Sequence, residues 1–250
     1  MPEPILPVLE RFYDAVPRPV ADEHAMGPLS LFVAREGWAY YARPRLGTDA
    51  IDADDVRAVL DEQRRLDVPR SLEWVQEMTP SLLAAAREAG MRVQEHPLLV
   101  LEGQLLGVRV PDVEVSVLEP DDPRFAGARA AVFAGFEGTD DLSVEPVQQW
   151  ITERVRGGLM RVVGAFDGPD PVGGGSHQTR GQVSELTGIA TLPSWRGRGV
   201  GAAVTRALAE DAVASGARTV FLSAGDVMVA RVYERVGFVR VGTACVAEAD

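Results

Sequence analysis

The chain has 250 residues, 46% of them hydrophobic, which is enough to bury one large or two small cores and excludes a disordered polypeptide. A formal net charge of -12 argues against sequence-independent binding to nucleic acid, which needs clustered cations against phosphate, and sets up a field that attracts an amine. One cysteine and three histidines leave no intramolecular disulfide and no cysteine- or histidine-rich metal site, so no metal is expected and a reducing cytoplasm fits.

Residues 1–18 carry Glu3, Glu10 and Asp14 without the basic-then-apolar order of a signal peptide. Nowhere does the chain reach the roughly 20 consecutive apolar residues that cross a membrane. All 25 basic residues are Arg and Asn is absent, the mark of a GC-rich bacterial genome. A missing Lys or Asn at a motif position therefore carries little information.

Residues 52–66 read as a helix, Ser71–Val75 as a strand, and Thr79 as the cap of a helix that ends at Gly90 before another strand. The same order recurs near the C-terminus. Shifted by 147 residues, Ser71 to Val75 falls on Arg218 to Leu222, Thr79 on Asp226 and Gly90-Met91 on Gly237-Phe238. An internal duplication accounts for the match, although this order of elements is also common in α/β proteins. The N-terminal copy has no glycine-rich loop before its helix, and Ala86 stands where the other has Tyr233, so its site chemistry is gone.

Residues 113–118 alternate as a strand, 121–136 and 146–156 form helices, 159–167 a strand, 168–175 a Gly/Pro hairpin region and 183–192 a strand. A long helix follows, with Val200, Val204 and Leu208 at spacing four and Ser215-Gly216 as its stop. Residues 217–222 form a short strand. Asp226 then caps a helix with the apolar stripe Val229, Val232, Tyr233 and Val236, closed by Gly237 before a last strand from Phe238 to about Val246. A mixed sheet covered by helices is expected.

Between the strand ending near Leu192 and the long helix lies Pro193-Ser194-Trp195-Arg196-Gly197-Arg198-Gly199-Val200-Gly201-Ala202. Glycines there let successive N–H groups converge on one point, and the helix start adds positive potential, so the turn suits a phosphate or pyrophosphate. The spacing fits neither G-x-G-x-x-G nor the Gly-Lys-Ser/Thr loop.

Arg196-Gly197-Arg198-Gly199-Val200-Gly201 resembles the R-x-x-G-x-G/A pyrophosphate loop of the GNAT acyltransferase superfamily, and the surrounding element order agrees from about residue 113 to 246. The resemblance implies an α/β (α+β) fold with a mixed, mostly antiparallel central sheet flanked by helices, in tandem with a degenerate N-terminal copy. Domains are expected at 1–105 and 111–250. It implies acetyl-CoA as co-substrate, with Arg196 to Ala202 at its pyrophosphate and the amides of Ile189, Ala190 and Thr191 along its pantetheine arm. Asp226 stands where many members have Asn, which leaves it as a cofactor contact or only a helix cap. Ala230-Arg231-Val232-Tyr233-Glu234 and Gly237-Phe238 continue the likeness.

Acetyl transfer to an amine needs a base, because an alkylamine is mostly protonated at neutral pH, a donor for the carbonyl oxygen, and an acid for the departing thiolate. By the resemblance Tyr233 is the acid. Glu185, eleven residues before Arg196, matches the glutamate base of the histone-acetyltransferase-like members, with His177 as the alternative. Trp195 and Arg198 are placed for an adenine ring and a phosphate, Asp140, Asp141 and Glu145 for a cationic acceptor, and Cys245 for packing. A small-molecule primary amine is the expected acceptor; a protein or peptide amine, or a noncatalytic coenzyme A sensor, are the alternatives. The N-terminal domain is expected to wall the acceptor cleft or to carry a homodimer interface.

Overall fold

The computed structural model describes residues 3–37, 39–107, 113–143 and 149–249. They fall into two compact units: Met1–Leu98 with Ser223–Val227 and Val241–Asp250, and Leu99–Leu222 with Met228–Arg240. The boundary expected between residues 105 and 111 thus lies after Leu98, and the end of the chain belongs to the first unit because it pairs with a strand there.

The first unit contains α1 (Ile5–Ala15), β1 (Ala21–Met26), β2 (Leu29–Ala34), β3 (Arg43–Pro44), α2 (Ala53–Arg65), β4 (Ser71–Val75), α3 (Ser81–Glu88) and the start of β5 (Arg92–Leu101). Strands β1, β2 and β3 form an antiparallel sheet in that order. Strand β4 pairs antiparallel with the end of β11 (Phe238–Glu248), from Ala244 opposite Val75 to Glu248 opposite Ser71. Helix α2 starts at Asp52, whose carboxylate accepts hydrogen bonds from the Asp54 and Asp55 amides while Asp55 reaches back to the Asp52 amide. Its Val56, Val59 and Leu60 join Leu72, Trp74, Leu82 and Cys245 in the core. Cys245 is fully buried, and burial pushes its thiol up to about 12, so it packs as an apolar residue.

Helix α1 buries Leu9, Phe12 and Tyr13, and with them Glu10. Glu10 is 9% exposed, and its Oε2 is sealed from solvent without a hydrogen-bond partner. Burial pushes its carboxyl up to about 7, against the opposing pull of Arg43. Arg43 is itself committed, bonding Glu73 at 2.5 Å and stacking 4.9 Å from the Tyr13 ring.

The second unit contains β6 (Glu114–Leu118), α4 (Phe125–Glu137), α5 (Gln149–Arg156), β7 (Arg161–Asp167), β8 (Asp170–Arg180), β9 (Val183–Thr191), a 3-10 turn (Pro193–Trp195), α6 (Val200–Ala214), β10 (Thr219–Ser223) and α7 (Val227–Glu234), then enters β11. The start expected for α5 at 146 lies outside the described residues. The strand order is β10-β9-β8-β7-β6, antiparallel except for the parallel pair β9–β10. Both units are therefore mixed α/β structures, and the sheet is mostly antiparallel with helices packed on it.

Strand β8 corrects the sequence reading, which takes residues 168–175 as a hairpin region. Only the turn at Gly168, with φ +58°, fits that description. Gly173, Gly174 and Gly175 lie inside the strand, where an added Cβ would meet the Ala190 carbonyl oxygen at 2.7 Å, the Val163 carbonyl oxygen at 2.6 Å and Leu208 Cδ1 at 2.9 Å. The glycines are there for close approach, not for a turn.

Candidate active site

Strands β9 and β10 are paired only from Thr219 opposite Val183 to Phe221 opposite Glu185, although β9 continues to Thr191. Beyond Glu185 the two strands part. Gly188 takes φ +60° in the freed stretch, and the strand register against β8 shifts between Gly174 and Ser176. The backbone of Ile189, Ala190 and Thr191 lines the cleft that opens there, which has a volume of about 570 Å³.

The cleft's floor is the start of α6. Gly197 and Gly199 have φ of +75° and +88°, and Gly199 caps the helix with no side chain closing the first turn. Nothing lies within 4 Å of where a Gly197 Cβ would stand. The first-turn amides of α6 are thus left for a ligand, and Val200, Gly201 and Ala202 line the cleft beside them. The lining includes Arg196 and Arg235 and, among the described residues, no carboxylate. In a chain of net charge -12 this is a local reversal of sign.

Arg196 does more than supply charge. Its Nη2 donates to the Gly135 carbonyl at 2.6 Å and its Nε to the Thr191 carbonyl at 3.4 Å, tying the end of α4 to the end of β9. Gly135 makes that approach feasible, since a Cβ there would sit 3.0 Å from Ala190 Cβ and 3.1 Å from the Thr191 oxygen. A second tie runs from Asp140, whose Oδ1 accepts from the Ser194 amide at 3.1 Å and hydroxyl at 2.9 Å. Asp140 therefore fixes the turn before the glycine loop. Arg198 stacks 4.6 Å from the Trp195 ring and is not among the lining residues, whereas Trp195 is.

Tyr233 enters the cleft from α7. It is 7% exposed, with its ring edge-on to Phe238, and no hydrogen bond engages its hydroxyl among the described residues. Burial pushes that hydroxyl up to about 12, so it holds its proton at neutral pH. Glu185 is 8% exposed at the last rung before the strands part, with Gln178 Nε2 at 3.4 Å from its Oε2; it is not part of the cleft's lining. Asp226 precedes α7, is exposed, and is likewise not among the lining residues. Asp141 is held in a turn by Ser143, and Glu145 lies outside the described residues.

His177 is excluded as the base. It lies in β8 rather than a loop and is 1% exposed; its Nε2 faces Asp211 at 2.8 Å and its Nδ1 faces the Ser184 hydroxyl at 3.0 Å. Asp211 also binds Arg161 Nε at 3.2 Å. Burial lowers the pKa of His177 in spite of Asp211, so the ring is a neutral link between β8, β9 and α6. Serine, histidine and aspartate are in contact here, but Ser184 is fully buried, and no substrate reaches it.

The model of the acetyltransferase (GNAT) family matches residues 129–238. Among solved structures, a GCN5-related N-acetyltransferase from Kribbella flavida aligns over 100% of this chain and 97% of its own, with 23% identity and a TM-score of 0.78. A GCN5-related N-acetyltransferase from Sphaerobacter thermophilus aligns over 97% and 84%, with 16% identity and a TM-score of 0.60. A tandem GNAT protein from the clavulanic acid biosynthesis pathway aligns over 88% and 78%, with 16% identity and a TM-score of 0.55. These likenesses concern the fold; among curated proteins, none matches the sequence. The glycine nest at α6, the parted strands and Tyr233 all fall inside residues 129–238, the stretch that matches the acetyltransferase (GNAT) family.

Proposed function

We propose that this domain transfers acetyl from acetyl-CoA to the primary amine of a small molecule. The observation that carries the reading is one cleft holding both an open glycine nest at a helix start and a buried, protonated tyrosine hydroxyl. The residues fit the co-substrate: a pyrophosphate meets backbone amides, two arginines and no carboxylate. Acetyl-CoA supplies an acyl group already activated as a thioester. The amides of Ile189 to Thr191, which line the cleft, would supply donors to its carbonyl oxygen. Glu185, set back from the lining, takes protons from the amine through a water. As the N–C bond forms and the C–S bond breaks, Tyr233 gives its proton to sulfur. Of the two protons the ammonium loses, one goes to solvent and one restores Tyr233. Arg196 holds the nest in register, and Arg198 with Trp195 borders it.

The tandem reading extends to the first unit. Helix α2 begins at Ala53 and α6 at Val200, 147 residues apart; α3 and α7 begin at Ser81 and Val227, β5 and β11 at Arg92 and Phe238, each 146 apart. The single parallel bridge from Ala42 to Leu72 repeats the parallel pairing of β9 with β10. Asp52 stands where the offset places Gly199, and its carboxylate already fills the helix start with an internal anion. This favours a degenerate copy with no phosphate site of its own. No helix among the described residues is long and apolar enough to cross a membrane, and a cytoplasmic setting, where acetyl-CoA is available, fits the reading.

Replacing Tyr233 with Phe tests the chemistry. Thiol release from acetyl-CoA against a panel of amines should fall by roughly 10²-fold in kcat, with the acetyl-CoA dissociation constant near wild type. An unchanged kcat removes Tyr233 from the mechanism. Intact acetyl-CoA binding without turnover of any amine would make the protein a coenzyme A sensor.

A further inference from the structure

Arg129 lies on α4, with Val132, Phe133 and Phe136 following at spacings of three, four and seven on one face of the helix. It is largely buried, its Nε has no accessible surface and no hydrogen-bond partner, and no carboxylate pairs with it among the described residues. Burial alone lowers its pKa. Arg43 differs, being bonded to Glu73. A guanidinium nitrogen sealed from water without a partner is destabilising.

The face that carries Arg129 leads to the cleft. Phe136, seven residues on and therefore about 10 Å along the helix axis, lines the cleft and is 65% exposed. The Nη atoms of Arg129 are not among the sealed ones, so a carboxylate approaching along this face meets the guanidinium end-on, through the Nη atoms.

Resting on the acetyltransferase reading above, we propose that Arg129 is the specificity-determining residue for the acceptor and receives a carboxylate, so that the substrate is a carboxylated amine of the amino-acid type. A polyamine or plain amino sugar offers nothing to this cation.

The test uses the full chain with coenzyme A bound, after its dissociation constant has been measured. Calorimetric titrations compare amino acids with their carboxamides, which keep the amine and lose the negative charge. The acids should bind at least ~30-fold more tightly than the amides, and R129Q should erase the difference without altering coenzyme A affinity. R129M should raise the thermal midpoint of the ligand-free protein, because it removes an uncompensated charge. Equal binding of acid and amide, or binding of neither, overturns the proposal, as does a thermal midpoint lowered in R129M with acid binding retained. Loss of coenzyme A binding in the wild type would instead defeat the acetyltransferase reading.

Discussion

Gly199→Glu should weaken acetyl-CoA binding by at least ~100-fold, about 3 kcal/mol, in a protein that still folds. Two effects act together. A side chain at φ +88° is strained, at a cost of about 1–3 kcal/mol, and a carboxylate placed at the start of α6 repels the pyrophosphate from amides it would itself accept from. The strain is small beside the 5–15 kcal/mol that holds a domain together, so the fold survives. Equilibrium dialysis with acetyl-CoA reads the loss, and circular dichroism checks the fold. Wild-type affinity in a folded variant would put the cofactor elsewhere.

Glu10→Gln should change the pH dependence of stability. The Glu10 carboxyl is raised from an ordinary 4.5 to about 7, so the folded protein holds a proton that the unfolded chain has lost. The contribution is complete below about 4.5, declines as pH rises through about 7, and is absent above it. The difference amounts to about 3 kcal/mol. Gln keeps an oxygen for the Val75 amide and carries no charge to desolvate, so the variant should melt roughly 6–12 °C above wild type at pH 8 and near it at pH 4.5. A slope remains in the variant because burial also raises Glu73, the partner of Arg43. Parallel melting curves at both pH values would show that Glu10 is ionised in the folded state.

The glycine nest at the start of α6 was legible in the sequence because its residues are local. Arg196 to Ala202 are consecutive, and a glycine nest before a helix has few other uses. Tyr233 was readable from its place in a short helix before Gly237-Phe238. The remainder depends on approach between distant segments. Gly135 is an unremarkable helix residue until Thr191 is laid against it, and Arg129 is one of 25 arginines until its surroundings are found to lack a carboxylate. His177 follows three glycines and a serine and reads as a loop residue, yet hydrogen bonds to Asp211 and Ser184 fix it in a strand. Composition could not reveal β8, because glycine is poor in strand propensity and tertiary packing overrides it. The domain boundary was misplaced for a related reason: the partner of the final strand lies some 170 residues earlier, at Val75 opposite Ala244.

The glycines of β8 also set a dimension. A Cβ added at Gly174 would meet Val132 Cγ2 of α4 at 3.2 Å, and one added at the next residue, Gly175, would meet Leu208 Cδ1 of α6 at 2.9 Å. Successive residues of a strand point to opposite faces, so one helix is drawn down on each side of the sheet at its narrowest point. The end of α4 and the start of α6 are walls of the same cleft. Two missing methyl groups thereby act as a gauge, and the width of the cleft is set by a strand that contributes no side chain to it.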